Sequence, residues 1–204
     1  YGLVGEIIAT RLEFHRMKHE YFSDDSSPLV SQNSSSPSIA IYCHEYRSVW
    51  WPGWGPTSFL SQLSLNASDS NHTGMGGSEE AVAHLAHALA YLGYNVTIYA
   101  ELSREENNMV TSLYGGHNVR WLHFSLYPSQ RSNAFDVFIS WRYAASLALS
   151  THSAKRSYLW LHDRLEYFSM GYESLFLIAQ GIFVQSESHR QFLAKEIAKG
   201  ASYG

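Results

Sequence analysis

The sequence predicts an α/β fold with an open, mostly parallel sheet and helices on both of its faces. Two observations predict it: short runs of β-forming residues alternate with helical segments, and most of these runs are continuously apolar. Continuously apolar strands are typical of a parallel sheet that is covered on both faces, because neither side of such a strand contacts water. We therefore expect a Rossmann-like arrangement.

The amino-terminal part of the chain differs in composition from the rest. Residues 3–22 have the apolar spacing of a helix, and residues 23–37 are rich in Ser, Asp, Asn and Pro, as linkers are. We expect a helical appendage with a Ser-rich linker over residues 1–37. One Rossmann-like domain is expected to follow over residues 38–204.

A glycine-rich turn at residues 74–78 precedes the most regular helical pattern of the sequence. The apolar residues behind it recur at helical spacing and predict one buried stripe: Val82, Leu85, Leu89 and Leu92. Ser78 is the predicted N-cap of this helix, and Gly93 is the predicted left-handed residue that ends it. The segment is therefore expected to form the central helix of the domain.

The start of this helix is a candidate site for a phosphate. Glycines let the backbone approach a ligand closely, and the N–H groups of a first helical turn favour an anion. Gly76, Gly77 and Ser78 are therefore the candidate residues for binding this phosphate. Glu79 and Glu80 oppose an anion on the helix axis, so we expect contact through the glycine backbone. The alternative is an ordinary glycine-rich loop before a core helix.

The remaining elements alternate as an α/β fold requires. Strands are predicted over residues 38–43, 95–100, 118–124, 135–141, 156–163 and 181–186, and helices over residues 144–149, 173–179 and 188–199. Ligands of such sheets gather beyond the carboxyl ends of the strands. Four features are predicted there: the Trp-rich segment 50–56, the glycine turn, Trp141-Arg142 and His162-Asp163.

The Trp-rich segment holds three of the six tryptophans of the chain. Pro and Gly interrupt regular structure there, and aromatic rings in such a loop can stack on a sugar. This makes Trp54 a candidate ligand contact. The alternative is local packing that holds a long loop in place. Residues 57–73, rich in Ser and Asn, are expected to be mobile.

His162 ends an apolar strand, with Asp163 directly after it. An imidazole at this position can bond a ligand hydroxyl or transfer a proton, and the alternative is a histidine with structural partners only. His84 and His87 lie three residues apart on the predicted central helix. They fall off its apolar stripe, so we expect solvated side chains and no metal site.

Composition and missing motifs exclude several classes. The formal net charge is −4 and the basic residues are scattered, so no nucleic-acid partner is expected. The lone Cys43 excludes an intramolecular disulfide, and no apolar run is long enough for a transmembrane segment. Neither G-x-S-x-G nor the nucleotide-binding G-x-x-x-x-G-K-[ST] occurs.

A dinucleotide-binding domain is a rival interpretation of the glycine turn. Its fingerprint requires a third glycine where Glu79 stands, and it follows the first strand directly rather than after about thirty residues. Glu101, after the second strand, does fit the acidic residue of that fingerprint. An NAD-type oxidoreductase domain is therefore kept as an alternative.

An ordered set of motifs resembles the amino-terminal domain of GT-B glycosyltransferases of the retaining family 4 type. The motifs are Trp54-Gly55-Pro56, GMGGSEEAV at residues 74–82, FDVFI at 135–139, LWLHD at 159–163 and FVQS at 183–186. The resemblance covers about residues 38–199, most of the chain.

This resemblance implies transfer of a sugar from a nucleotide-diphosphate donor to a glycan, lipid or protein acceptor, with retention and with neither metal nor cofactor. It implies that Gly76 and Gly77 approach the donor pyrophosphate and that His162 is the catalytic-site residue, bonding a hydroxyl of the donor sugar. It also assigns residues to the acceptor side: Trp54, Trp141, Arg142 and Asp163.

The chain departs from the family in one respect. Family members carry a second, carboxyl-terminal domain with a basic pair and an E-x7-E pattern, and Glu187 and Glu196, nine residues apart, do not supply that pattern. We therefore expect a fragment that supplies the first domain of a hexosyltransferase and is weakly active or inactive alone. The alternative is a non-catalytic module that binds nucleotide or sugar.

Four N-x-[ST] sequons bear on the compartment. Asn33, Asn66 and Asn71 lie in the linker or loop, where glycans fit, whereas Asn95 opens a predicted core strand. The sequons favour the lumen of the secretory pathway, with the cytoplasm as the alternative.

Overall fold

The computed structural model describes residues 36–43, 54–64, 75–113, 116–162 and 176–201. These residues belong to two compact units, and the chain passes from the first to the second between Tyr127 and Pro128. The predicted appendage and linker lie almost wholly outside the described residues, so the boundary at residue 37 stays a prediction.

The described part of the first unit contains four strands: β1 (Ser38–Tyr42), β2 (Asn95–Ala100), β3 (Val110–Leu113) and β4 (His117–His123). β2 pairs in parallel with both β1 and β4, whereas β3 pairs antiparallel with β4. Every residue of β1 is buried, as are the last five of β2. This burial is the reason for their continuously apolar sequences.

Two α-helices are described in the first unit: α1 (Pro56–Ser64) and α2 (Gly77–Tyr91). α2 packs on β2 and β4. Its buried residues are Glu79, Val82, Ala83, Ala86, His87 and Ala90. The predicted stripe is therefore right for Val82 only: Leu85 and Leu89 are half-buried and Leu92 is 69% exposed. Small alanine side chains occupy the face that packs on the sheet, and the leucines flank it.

The two ends of α2 differ in how well the sequence predicted them. Gly76, with φ −64° and ψ 150°, is the N-cap, so the prediction of Ser78 is wrong by two residues. The Ser78 hydroxyl instead donates to the Glu79 carboxylate, 2.7 Å away. Gly93 has φ +91° and is left-handed, as predicted. Its N–H donates to the Ala90 carbonyl and closes the helix end.

α1 was not predicted from the sequence, and it covers the start of the segment that was expected to be mobile. Pro56 stands at the first helical position, where its missing N–H has no intrahelical partner to lose. Phe59 is 1% exposed and anchors the helix. Proline therefore begins regular structure here, although its usual effect is to interrupt it.

Within the described residues, the second unit has three strands and two α-helices: β5 (Phe135–Trp141), β6 (Ala154–Trp160), β7 (Gly181–Phe183), α3 (Leu147–Ser153) and α4 (Glu187–Ala201). β5 and β7 both pair in parallel with β6, and the register aligns the carboxyl ends, since Trp141 lies opposite Trp160 and Trp160 opposite Phe183. α3 packs on β5 and β6. A single 3₁₀ turn, Ala144–Ser146, precedes it.

Four of the five strand pairings within the units are parallel. The predicted fold class, a Rossmann-like α/β fold with a mostly parallel sheet, is confirmed. The short antiparallel β3 was not predicted, and the predicted helix over 173–179 lies mostly outside the described ranges. None of the helices in the described part of the chain has the length and apolar character needed to cross a membrane.

Candidate functional site

The glycine turn before α2 presents its backbone to solvent. Gly76 and Gly77 are exposed and Ser78 is half-buried. A Cβ added at Gly77 would meet no atom within 4 Å, so this residue borders open space. Because the N-cap is a glycine, it has no side chain to satisfy the first-turn amides. The turn is therefore accessible to a ligand on its Gly77 side.

The Gly76 side of the same turn is filled by the protein itself. Glu79 is 6% exposed, and a Cβ at Gly76 would collide with its carboxylate oxygen Oε2. A glutamate at the third helical position commonly folds back over the N-cap in this way. A side chain at position 76 would thus force the Glu79 carboxylate to move. An anion has room to approach beside Gly77 rather than over Gly76.

The environment of Cys43 shows where the glycine turn lies within the first unit. This residue directly follows β1 and is buried. Burial, and secondly the charge of the Glu79 carboxylate, raise the pKa of the Cys43 thiol well above its usual value. The start of α2 therefore lies near the carboxyl end of β1, the position at which open parallel sheets bind ligands. A thiol with a raised pKa stays protonated and is a poor nucleophile.

Trp54 also lies in the first unit, where it takes part in packing. It is 7% exposed, and its ring meets the edge of the fully buried Trp121 ring at 6.1 Å between centroids. Local packing, which was the alternative to a ligand contact, accounts for the buried position of Trp54. A contact between Trp54 and an acceptor stays a prediction.

In the second unit, the ends of β5 and β6 bring together three of the predicted site residues. The His162 ring lies 5.7 Å from that of Trp141 and 4.4 Å from that of Trp160, between centroids. The guanidinium of Arg142 lies 5.1 Å from the centroid of the Trp141 ring. We call Trp141, Arg142, Trp160 and His162 the strand-end cluster. Trp160 was not predicted as a site residue, and Asp163 lies beyond the described residues.

Arg142 occupies a strained turn within this cluster. Its φ is +65°, and the N–H of Tyr143 donates to the carbonyl of Trp141, which closes a three-residue turn around it. Such γ-turns with positive φ are rare and strained, and the left-handed region costs a non-glycine residue about 1–2 kcal/mol. The N–H of Arg142 donates to the Trp160 carbonyl, which fixes the turn on β6.

The structure corrects the prediction of solvated histidines on the central helix. His87 is fully buried: its Nε2 lies 2.9 Å from Thr111 Oγ1, which accepts the indole N–H of Trp121. Burial, and secondly the nearby His84, lower the pKa of His87 to about 4. His84 itself is half-buried and lies 3.6 Å from the Glu80 carboxylate. Within the described ranges, no group of three His, Cys, Asp or Glu side chains is arranged to hold a metal.

A histidine–serine pair at the end of β4 has a structural explanation. His123 Nδ1 lies 2.8 Å from Ser125 Oγ and also accepts the Ser125 N–H. This arrangement caps the 3₁₀ turn Phe124–Leu126. Both residues are buried, and burial lowers the pKa of His123 to about 4. The pair therefore stabilises a turn and offers no accessible nucleophile.

No protein-family model, curated protein or solved structure matches this chain. The likeness to family 4 glycosyltransferases therefore rests on the sequence motifs in their order. The glycine turn belongs to the first unit, near the carboxyl end of β1, and the strand-end cluster belongs to the second unit, at the carboxyl ends of β5 and β6. The structure shows the fold class of the chain, which is an α/β fold of the Rossmann-like, mostly parallel type.

Proposed function

We propose that this chain supplies the first domain of a retaining glycosyltransferase that uses a nucleotide-diphosphate sugar. The observation that carries the proposal is the glycine turn, which leaves Gly77 beside open space at the amino end of a 15-residue helix. Main-chain amides at a helix start bind phosphate oxygens well, because the N–H groups and the helix dipole both favour negative charge. Gly76, Gly77 and Ser78 would hold the donor diphosphate.

The strand-end cluster supports the sugar-binding part of the proposal. Aromatic rings are the usual partners of a pyranose face, and two indoles lie beside His162. Trp141 is buried, so the half-buried Trp160 is the one that would contact a sugar. His162, which lies beside both indoles, would bond a hydroxyl of the donor sugar. By the family resemblance, Arg142 and Trp141 would contact the acceptor, and a second domain with the basic pair would complete the donor site.

The donor proposal can be tested by following the backbone amide signals of Gly77 and Ser78 while the chain is titrated with UDP- and GDP-sugars, with pyrophosphate and with NAD. We expect the sugar nucleotides and pyrophosphate to shift these signals. In Gly77→Val the new side chain enters open space, so the fold is expected to persist while nucleotide-sugar binding weakens about tenfold.

Ala88→Val is the matched control, because it places the same side chain at an exposed position of the same helix. Its binding should equal that of the unmodified chain. Tight binding of NAD without any response to sugar nucleotides would favour the oxidoreductase alternative. Signals of Gly77 and Ser78 that ignore every diphosphate would refute the donor site.

A further inference from the structure

Of the four N-x-[ST] sequons, Asn95-Val96-Thr97 is the one that the described residues include. Only the last five residues of β2 are buried, and Asn95, its first residue, is half-exposed. The backbone N–H of Asn95 donates to the Pro37 carbonyl, which fixes the main chain at this point. Within the described part of the chain, no hydrogen bond uses the side-chain amide of Asn95. A substituent on this amide would therefore displace no bond of the fold.

The surface next to Asn95 has room for such a substituent and apolar side chains that it would cover. The turn between α2 and β2 is open to solvent, and Leu92 and Tyr94 in this turn are 69% and 38% exposed. On the neighbouring strand β4, His117 and Asn118 are also exposed. A group attached at Asn95 would remove part of the Leu92 and Tyr94 surfaces from water, which is favourable.

We propose that Asn95 carries an N-linked glycan whose first sugars cover Leu92 and Tyr94. The donor is an oligosaccharide on a lipid diphosphate, a co-reactant of the lumen of the secretory pathway. The Nδ2 atom of Asn95 forms a bond to the anomeric carbon of the first sugar, while the bond from that carbon to the diphosphate oxygen breaks. The amide gives up one proton to a base, and the lipid diphosphate is the leaving group.

The burial of Thr97 determines when the glycan is attached. The sequon is recognised through this residue as well as through the asparagine, and Thr97 is only 3% exposed in the folded chain. Its hydroxyl is accessible to a transferase only before β2 takes its place in the sheet. Attachment therefore precedes folding, and the folded chain is a poor acceptor.

The glycan lies away from the proposed donor site. α2 separates the glycine turn from the turn that precedes Asn95, and a helix of 15 residues is about 22 Å long. A glycan at Asn95 would thus leave the space beside Gly77 open. The inference does not rest on the proposed glycosyltransferase function, and its test uses neither a nucleotide sugar nor the amides of the glycine turn.

The test secretes the full 204-residue chain from eukaryotic cells, with the other three sequon asparagines replaced by glutamine: Asn33, Asn66 and Asn71. Asn95 is then the acceptor of the one sequon that remains. We expect a mass increase that a peptide N-glycosidase removes. This enzyme converts the modified asparagine to aspartate, and fragment-ion mass spectrometry should locate the conversion at position 95. The unmodified chain, purified in its folded state from bacteria and then added to microsomal membranes, should stay without glycan.

Three variants of this chain assign the glycan to the sequon. Asn95→Gln removes the acceptor amide, whereas Thr97→Val keeps the amide and removes the hydroxyl, and both should abolish the mass increase. Asn118→Gln, at an exposed strand position outside any sequon, is the matched control and should keep it. The thermal midpoints of the same variants made in bacteria, where no glycan is attached, show whether a loss of the glycan reflects misfolding.

A second measurement tests the cover over the turn. We expect the glycosylated chain to unfold about 2–4 °C above the bacterial chain, because apolar surface is removed from water. Leu92→Ser removes part of that surface and should reduce this gain by about half. Leu177→Ser, at a leucine of the second unit that is 87% exposed, is the matched control and should leave the gain unchanged.

Each result has a stated consequence. A secreted chain with an unmodified Asn95 would overturn the inference. Equal attachment to the folded chain and to the nascent chain would contradict the order in which attachment precedes folding. A glycan that brings no thermal gain, or the same gain in Leu92→Ser, would refute the cover over the turn.

Discussion

The turn before α2 and the turn after β5 show opposite relations between residue type and backbone conformation. Gly76 has φ −64°, an angle open to every residue, yet a side chain there would meet the carboxylate of Glu79. Arg142 has φ +65°, where glycine is favoured, yet it carries one of the largest side chains. At the first turn, the lack of room for a side chain favours glycine. At the second turn, an arginine is present although its backbone angle favours glycine.

The two turns also differ in charge. A buried carboxylate lies behind the glycine turn, so the space that is open to an anion lies beside the backbone of Gly77. The turn after β5 instead presents a guanidinium over an indole. The first turn therefore offers neutral amide donors, and the second offers a formal positive charge.

Acid should affect the first unit most strongly, and this is the largest effect that we expect. His87 and His123 both have a pKa lowered from 6.5 to about 4, chiefly by burial. The unfolded chain therefore takes up protons near pH 6.5 that the native chain takes up only near pH 4, and stability falls as the pH drops through this window. Urea unfolding should show a loss of about 3 kcal/mol for each histidine.

His87→Gln should remove about half of this pH dependence, since it keeps a hydrogen-bonding side chain beside Thr111 but does not titrate. His152→Gln, at an exposed position of the second unit, is the matched control. Hydrogen exchange should detect opening at the start of α2 before any change around Arg142. A pH slope that His87→Gln leaves intact would contradict this explanation.

A pair of alanine substitutions tests whether space selects glycine at the first turn. Gly76→Ala should destabilise the protein by about 1–2 kcal/mol, because the buried Glu79 carboxylate must move away from the Ser78 hydroxyl. Gly77→Ala should change stability by less than about 0.5 kcal/mol, because its side chain enters open space. Denaturant midpoints measure both, and equal losses would show that Glu79 does not restrict position 76.

The smallest effect concerns the turn after β5. Ser140→Ala removes the buried hydroxyl that bonds the Tyr143 carbonyl, and a loss of about 1 kcal/mol is expected. Thr151→Ala removes a similar bond, from Thr151 to the Ala148 carbonyl, at an exposed position of α3 and should be neutral or stabilising. If thermal unfolding shows the two variants to be equal, Ser140 does not hold the strained turn.

The fold could be predicted where local sequence decides the structure. β1 and β2 are apolar on both sides and read as buried strands, and Gly93 ends α2 because the left-handed region suits glycine. β3 escaped prediction because it has only four residues, three of them exposed or partly exposed, and its pairing with β4 is antiparallel.

The site could be predicted only in part, since its decisive features depend on contacts distant in sequence. His87 is buried because it meets Thr111, 24 residues away, and a helical pattern alone gives no sign of that partner. The angle of Arg142 depends on its bond to Trp160, which lies on the next strand. Trp141 and His162 were predicted from their positions at strand ends, which the register of β5 and β6 determines.

The burial of Cys43 has a consequence for where this chain can exist. The chain has a single cysteine, and the fold keeps its sulfur from solvent as a protonated thiol. Neither disulfide exchange nor oxidation proceeds readily without an accessible thiolate. We therefore expect Cys43 to stay reduced in the folded protein under both reducing and oxidising conditions.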